Sequence, residues 1–278
     1  MGDAAQGSLA IGFFDGVHKG HQAILRQAET VMTFRNHPLS TIAPEKTPEF
    51  IMTPEARLGR LAASGKKLIV LDFDAKLAAM TPEEFTERYL RPLGVKRVYA
   101  GENWRFGNGG KGDIGWLKQA GYAAETVPYE TYQGEKISST RIRQALRQGD
   151  MQGAAKMLGR VWRFSGRVAK GKGEGRKLGF PTVNLRPDEG LVKVPHGVYE
   201  VRMGGARGVA NYGVAPTFGE QAWDGAVCEV HLLEPGAEIQ DRCEVEMVRF
   251  IRPERKFDST EALKAQIRRD VDGILQSV

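Results

Sequence analysis

The strongest constraint on this 278-residue chain is a change of pattern just past its middle. In the first half, short apolar runs rich in β-formers ("SLAIGFF", "TVMTF", "LIVLDF", "RVYAG") alternate with helix-like segments. Strands that alternate with helices fold as an α/β layer, because parallel neighbours need a helix-length crossover. One helical region is expected from Ser138 to Leu158. After it, "RVWRFSGRVAKGKG", "GVYEVRM", "GVANYGV", "AVCEVHLL" and "CEVEMVRFI" follow one another with only turn signals between them. That is the pattern of a small antiparallel barrel. The expected architecture is α/β with a parallel sheet over residues 1–158, then a β-barrel with a terminal helix over 159–278, the boundary lying near 158–162.

Local signals support this division. In "TPEEFTERYL", Thr81 can cap a helix, Pro82 suits its first turn and Glu84 completes a capping box. At the far end, Asp258 is the expected cap of a helix whose stripe of Leu263, Ile267, Val271 and Ile274 reads as core packing.

Composition narrows the function classes. Charged residues are 27% and hydrophobic residues 41%, the balance of a globular, water-facing protein. No apolar run approaches the ~20 residues of a membrane span. The N-terminus has no basic region followed by a long apolar stretch, and Gln6 breaks the pattern for acylation at Gly2. Cys228 and Cys243 are too few for a disulfide framework; two buried free thiols and a cytoplasmic location are expected. The net charge of +6 suits a nucleic acid or an anionic small molecule. The basic residues are scattered, and the aromatic-and-basic strands that stack bases are missing, so no nucleic-acid partner and no membrane partner is expected.

Two stretches carry chemistry. "GFFDGVHKGHQ", Gly12 to Gln22, follows the first apolar run and holds two of the chain's five histidines, His18 and His21. Such a glycine-rich turn ends a strand and starts a helix, whose free N–H groups attract an anion. Imidazoles three apart at the helix start can both face that anion. Donors so aimed stabilise charge that grows on an α-phosphate under nucleophilic attack. A metal site is less well supported, since no Cys or carboxylate cluster stands nearby. Downstream, "KISSTRIRQAL" places Ser138 and Ser139 ahead of a helix bearing Arg141 and Arg143, again a phosphate-binding arrangement.

These two motifs, with "AGENWRFGNGGKGD" between them, resemble the adenylyltransferase module of bacterial bifunctional riboflavin kinase/FAD synthetases. The resemblance implies a Rossmann-like nucleotidyltransferase domain that transfers AMP from ATP to FMN and releases pyrophosphate. His18 and His21 would stabilise the reacting phosphate. Gly12, Phe14, Asp15, Gly16 and Gly20 would form the nucleotide-binding turn. Asn103 would lie in the flavin and nucleotide region, and Ser138, Ser139, Thr140 and Arg143 would hold the triphosphate.

The second half has its own site. "GKGEGRKLGFPTVNL", Gly171 to Leu185, is a glycine-rich basic loop able to wrap phosphates, followed by an extended segment on which Thr182 and Asn184 face the same way. Hard oxygens beside a substrate phosphate suit Mg²⁺. The stretch is similar to the flavokinase motif of the same family. The similarity implies a six-stranded riboflavin kinase barrel in which Gly171, Gly175, Arg176, Gly179 and Pro181 bind ATP and Thr182 and Asn184 bind Mg²⁺. Glu229 would be the general base for riboflavin's 5′-hydroxyl, sharing a strand face with Val227 and His231.

The chain departs from family text in places. The stretch from Ala23 to Met32 is shorter by about a dozen residues than a first helix of typical length would make it. Arg35 and Asn36 replace an acid and a proline, Asn103 a common aspartate, and Ala215 an arginine; "HLLEPGAEIQDR" replaces an aromatic, acidic loop. These changes leave the phosphate motifs intact and bear on flavin affinity more than on ATP handling. The leading expectation is a bifunctional enzyme making FMN and then FAD from riboflavin and ATP. The alternatives are a riboflavin kinase with an impaired adenylyltransferase domain and a non-catalytic flavin or nucleotide-binding regulator. None of these motifs encodes an oligomeric state.

Overall fold

A computed structural model describes residues 7–169, 179–214, 225–234 and 238–276. The chain forms two compact units: Met1–Pro48 with Pro54–Ser139, and Glu49–Thr53 with Thr140–Val278.

The first unit is built on five parallel strands, β1 (Ser8–Ile11), β2 (Thr30–Phe34), β3 (Lys67–Leu71), β4 (Arg97–Ala100) and β5 (Ala123–Thr126), in the order β3-β2-β1-β4-β5. Four match the expected apolar runs. The fifth, "AAET", buries only Ala124 and has no strand-like composition; pairing with β4 at the sheet edge makes it a strand. Helices α1 (Lys19–Arg26), α2 (Pro38–Ile42), α3 (Pro54–Ala62), α4 (Ala75–Ala79), α5 (Pro82–Phe85) and α6 (Ile114–Gln119) join the strands. Thr81 caps α5 with Glu84 in the expected capping box. A hairpin, β6 (Thr131–Tyr132) and β7 (Glu135–Lys136), turns at Gln133 and Gly134, both with positive φ, as a two-residue turn between twisted strands requires.

The sheet order decides where a ligand goes. Sequence neighbours leave β1 on one side toward β2 and return on the other at β4. The crevice beyond the carboxyl end of β1 is therefore the topological switch point of the sheet.

The stretch behind the histidines, expected to be short, forms a short helix and leaves the sheet whole. α1 has only eight residues, yet β2 keeps its full parallel register with both β1 and β3. Asn36 extends that pairing. Its side-chain amide donates to the Phe73 carbonyl and accepts from the Phe73 N–H, both at 2.9 Å. Arg35 pairs with exposed Asp72 at 2.8 Å.

The second unit is a closed six-stranded antiparallel barrel of β8 (Trp162–Ala169), β9 (Val183–Pro187), β10 (Gly197–Met203), β11 (Ala206–Val214), β12 (Ala226–Leu232) and β13 (Arg242–Pro253), ordered β10-β11-β12-β9-β8-β13. Trp162, Phe164, Leu185, Cys228 and Val230 are among its buried residues. The expected helical region over 138–158 holds two helices, α7 (Ser139–Arg147) and α8 (Met151–Leu158), parted at Gly149 (φ 78°), with Asp150 capping the second. The compact units part at 139/140, and α8 packs on β8 and β13 within the second. The Glu49–Thr53 segment joins the same unit: Trp162 Nε1 donates to the Ile51 carbonyl at 2.7 Å, and Phe50 N–H to Gly190 at 2.7 Å.

The terminal helix α9 (Thr260–Leu275) is capped by Ser259, whose hydroxyl accepts the Ala262 N–H; Asp258 lies one residue too early. Its stripe is divided. Ile274 and Val271 pack on Val198, Val209 and Ile251, but Leu263 and Ile267 line a cavity and are not core. The thiols also differ from expectation: Cys228 is buried, its pKa pushed well up by desolvation, while Cys243 is half-buried.

Candidate functional sites

The first site sits at the switch point. After β1 the backbone turns sharply: Phe14, Gly16 and Val17 all have positive φ (60°, 77° and 41°). A bulky and a β-branched residue rarely adopt that conformation, and strain of this kind gathers at functional turns. His18 then caps α1, its Nδ1 accepting the His21 N–H at 3.2 Å. An accepting Nδ1 puts the proton of neutral His18 on Nε2. The two imidazoles stack with centroids 3.5 Å apart and planes 19° apart, and the Phe14 ring meets His21 edge-on. A Cβ on Gly20 would come within 3.2 Å of the His18 ring, so glycine here lets the ring lie against the first helical turn.

His21 Nδ1 is buried and has no hydrogen-bond partner. Desolvation holds the His21 pKa well below the usual histidine value, helped by the charges of His18 and Arg57. The ring is neutral at pH 7 and awaits a partner.

Around the pair lies a cavity of about 260 Å³, walled by Gly12, Phe14, His18, Gly20 and His21 on one side. Ser138 and Ser139 close it, and the Ser139 hydroxyl donates to the Asp15 carbonyl at 3.0 Å. The structure thus brings both N-terminal motifs to one cavity. Asp15 and Gly16 are buried behind it. Asn103 is exposed and is not among the wall residues, although its neighbours Glu102 and Trp104 are. Thr140, exposed, and Arg143 belong to the second compact unit, where Arg143 Nε donates to the Glu49 carbonyl at 2.7 Å.

Sequence reading missed Lys136. Its ammonium stands 4.9 Å over the Tyr129 ring and 3.7 Å from Glu102, at the cavity wall. The Gln-Gly turn of the β6–β7 hairpin was the available signal, since it aims the strand leading into Ser138.

The second site lies on the outer face of the barrel, in a cavity of about 680 Å³ roofed by α9. Glu229 on β12 pairs with Asn184 on β9 and with Asn211 on β11. Directly paired residues project to the same side of the sheet. Thr182, Glu229 and His231 line the cavity. Asn184 is buried, and its Oδ1 has no partner. An orphaned amide oxygen beside a carboxylate and a threonine is a donor set that fits a hard cation held jointly with a phosphate. His231 Nδ1 is 2.9 Å from the Pro181 carbonyl, so it carries the proton, and exposed Pro181 fixes the ring through its backbone. Gly179 is exposed with φ 90°. Gly171, Gly175, Arg176 and Ala215 lie outside the described residues.

The sequence did not announce the clamp beneath this cavity. Arg252 on β13 grips Asp270 on α9 through three contacts of 2.7–3.1 Å, and Gln266 donates to the same carboxylate at 2.7 Å. Both members of the ion pair line the cavity.

Comparisons agree with the two-site arrangement. The FAD synthetase family model matches residues 2–141, and the riboflavin kinase model residues 158–278. The chain is 33% identical to a bifunctional riboflavin kinase/FMN adenylyltransferase of Bacillus subtilis, over 96% of this chain and 91% of that protein. Proteins of the same description from Escherichia coli K12 and Pseudomonas fluorescens are 36% and 37% identical, covering 90% and 89% of their length and 94% of this chain. A solved structure from Streptococcus pneumoniae, described as a macrolide-efflux protein, superposes with a TM-score of 0.83 at 32% identity, covering 98% of this chain and 94% of that one. Among the described residues here, no helix is long and apolar enough to cross a membrane.

Proposed function

The chain belongs to the bifunctional riboflavin kinase/FMN adenylyltransferase family, and we infer from that premise that it carries both activities: ATP-dependent phosphorylation of riboflavin to FMN, then adenylyl transfer from ATP to FMN, giving FAD and pyrophosphate. The observation that carries the reading is the presence, in one chain, of two separate phosphate-handling sets: the stacked histidines at the switch point and the Asn184–Glu229 pair on the barrel. The presence of both sets favours the two activities over the regulator and the impaired-enzyme alternatives.

For adenylyl transfer, an FMN phosphate oxygen attacks the α-phosphorus of ATP and pyrophosphate leaves. His18 Nε2–H and the unpartnered Nδ1 of His21 are the groups we assign to the α-phosphate oxygens, where donors gain most as charge accumulates. His21 is neutral and desolvated beforehand, so an arriving anion strengthens its pull on a proton. Ser138, Ser139 and Lys136 are assigned to the triphosphate, and the turn of Gly12, Phe14, Asp15, Gly16 and Gly20 to the nucleotide. Asn103, Thr140 and Arg143, also proposed from sequence, are not among the residues that wall this cavity.

For phosphorylation, Glu229 takes the proton of the riboflavin 5′-hydroxyl as that oxygen attacks the γ-phosphorus and ADP leaves. His231, locked by Pro181, borders the reacting groups. Thr182 and Asn184 would hold Mg²⁺, which neutralises phosphate charge when bound. The glycine-rich loop with Gly171, Gly175, Arg176 and Gly179 is assigned to ATP. We take residues 1–158 as the adenylyl-transfer module and 159–278 as the kinase module, in the cytoplasm, where two free thiols persist. Incubation with riboflavin, ATP and Mg²⁺, with the flavins resolved by chromatography, tests the reading: both FMN and FAD are expected.

A further inference from the structure

No motif announces Arg57, yet among the described residues it is the largest fully buried side chain, 1% exposed in the first turn of α3. Its Nη1 donates to the Phe13 carbonyl (2.8 Å) and to Thr33 Oγ1 (2.9 Å); its Nη2 donates to the carbonyls of Phe34 (2.5 Å) and Arg35 (3.0 Å). The guanidinium also lies 4.0 Å over the Phe13 ring. Thr33 Oγ1 donates to the same Phe13 carbonyl at 3.2 Å. A buried cation of this kind is costly unless its hydrogen bonds are made, and four of them are. Burial still brings the Arg57 pKa down to about 10, against the pull of Asp15 and Glu55.

The acceptors say what the residue does. Three are backbone carbonyls and the fourth is the Thr33 hydroxyl, all at or just past the carboxyl ends of β1 and β2, the rim of the ligand crevice. Phe13 immediately precedes the left-handed turn of Phe14, Gly16 and Val17. Backbone in that conformation persists only where its surroundings over-determine it. Arg57 and Thr33 fix the Phe13 carbonyl, and Ser139 fixes the Asp15 carbonyl.

We propose that Arg57 is the positioning residue of the adenylyl-transfer site: its guanidinium ties the Phe13 carbonyl to the end of β2 and so sets where His18 and His21 stand. The inference rests on the histidine pair acting at the α-phosphate. Arg57 does not line the cavity, so it acts through the turn. Its charge also favours the neutral ring of His21. The other charged or titratable groups there include His18 in the same turn, Glu102, Tyr129 and Lys136 across the cavity, and Asp15 and Glu55, whose charges bear on Arg57.

The test compares full-length Arg57→Met, Arg57→Lys and His21→Ala in both half-reactions. Methionine keeps bulk and loses charge and donors; lysine keeps charge and loses the fork. A small displacement of reacting groups costs about a hundredfold, so Arg57→Met should lose about that in kcat for FAD formation, with the ATP KM little changed and FMN formation intact. Arg57→Lys should recover part of the loss. In NMR titration the His21 ring should move to higher pH in Arg57→Met and stay in Arg57→Lys. A folded Arg57→Met with unchanged kcat, while His21→Ala abolishes FAD formation, overturns the role of Arg57. FAD formation retained in His21→Ala overturns the histidine reading instead. If Arg57→Met does not fold, Thr33→Val, lacking the hydroxyl shared with Phe13, replaces it: lower kcat at constant ATP KM supports the strut, and unchanged kcat overturns it.

Discussion

Asn184 and Glu229 stand directly opposite each other across the β9–β12 ladder, the Asn184 amide oxygen buried and unpartnered beside the carboxylate. A carboxylate so placed can accept a proton at the point where, in the proposed mechanism, an oxygen donor would hold a phosphate-bound cation. Glu229→Gln keeps the shape and removes the base. FMN formation should fall by roughly 10²–10⁴, while FAD formation from supplied FMN stays at the wild-type rate. Steady-state assays of the two half-reactions check this.

The histidine pair predicts the converse. His21→Ala removes the unpartnered ring nitrogen from the first cavity, and FAD formation should fall by roughly 10²–10³ or more. Riboflavin phosphorylation should be untouched. Loss of both activities in a folded variant would contradict separate sites.

Stability should depend on pH through the same ring. The folded-state pKa of His21 lies below its unfolded value of about 6.5, so below that pH the unfolded chain binds the extra proton. The neutral ring's contribution is complete above about pH 6.5 and is lost as pH falls toward the folded pKa. Denaturant titrations should therefore show a shallower acid-side decline in His21→Gln than in the wild type.

On the barrel, Asp270 is the buried half of an ion pair with Arg252 that ties α9 over the second cavity. Asp270→Leu strands the arginine, and breaking such a pair typically costs about 3–5 kcal/mol. The riboflavin KM should rise as the roof loosens. Thermal melting and saturation kinetics on the same sample separate the two effects.

How much of this was legible in the sequence depends on whether the signal was local. His18, Gly20 and the Ser138–Ser139 pair sit within a few residues of the turn or helix start they serve, so each motif was legible by itself, while the fold brings the two to one cavity. Thr81 and Glu84 were equally local. Arg57, Lys136 and Asp270 were invisible because their partners are distant in sequence: Arg57 answers carbonyls of Phe13 and Phe34, and Asp270 answers Arg252. The strand Ala123–Thr126 was missed because its neighbour makes it, not its composition. Leu263 and Ile267 read as core since periodicity identifies an apolar face and says nothing of what lies beneath it. The same limit applied to the terminal-helix cap, where Ser259 and Asp258 are both good caps and tertiary packing chose between them.

The central claim is that one chain performs two chemically separate transfers. The most direct measurement incubates the purified protein with riboflavin, ATP and Mg²⁺ and follows the flavins by chromatography over time. FMN should appear first and FAD after it, both stopping when the metal is chelated. FMN that never converts to FAD, or riboflavin recovered unchanged, would contradict the account.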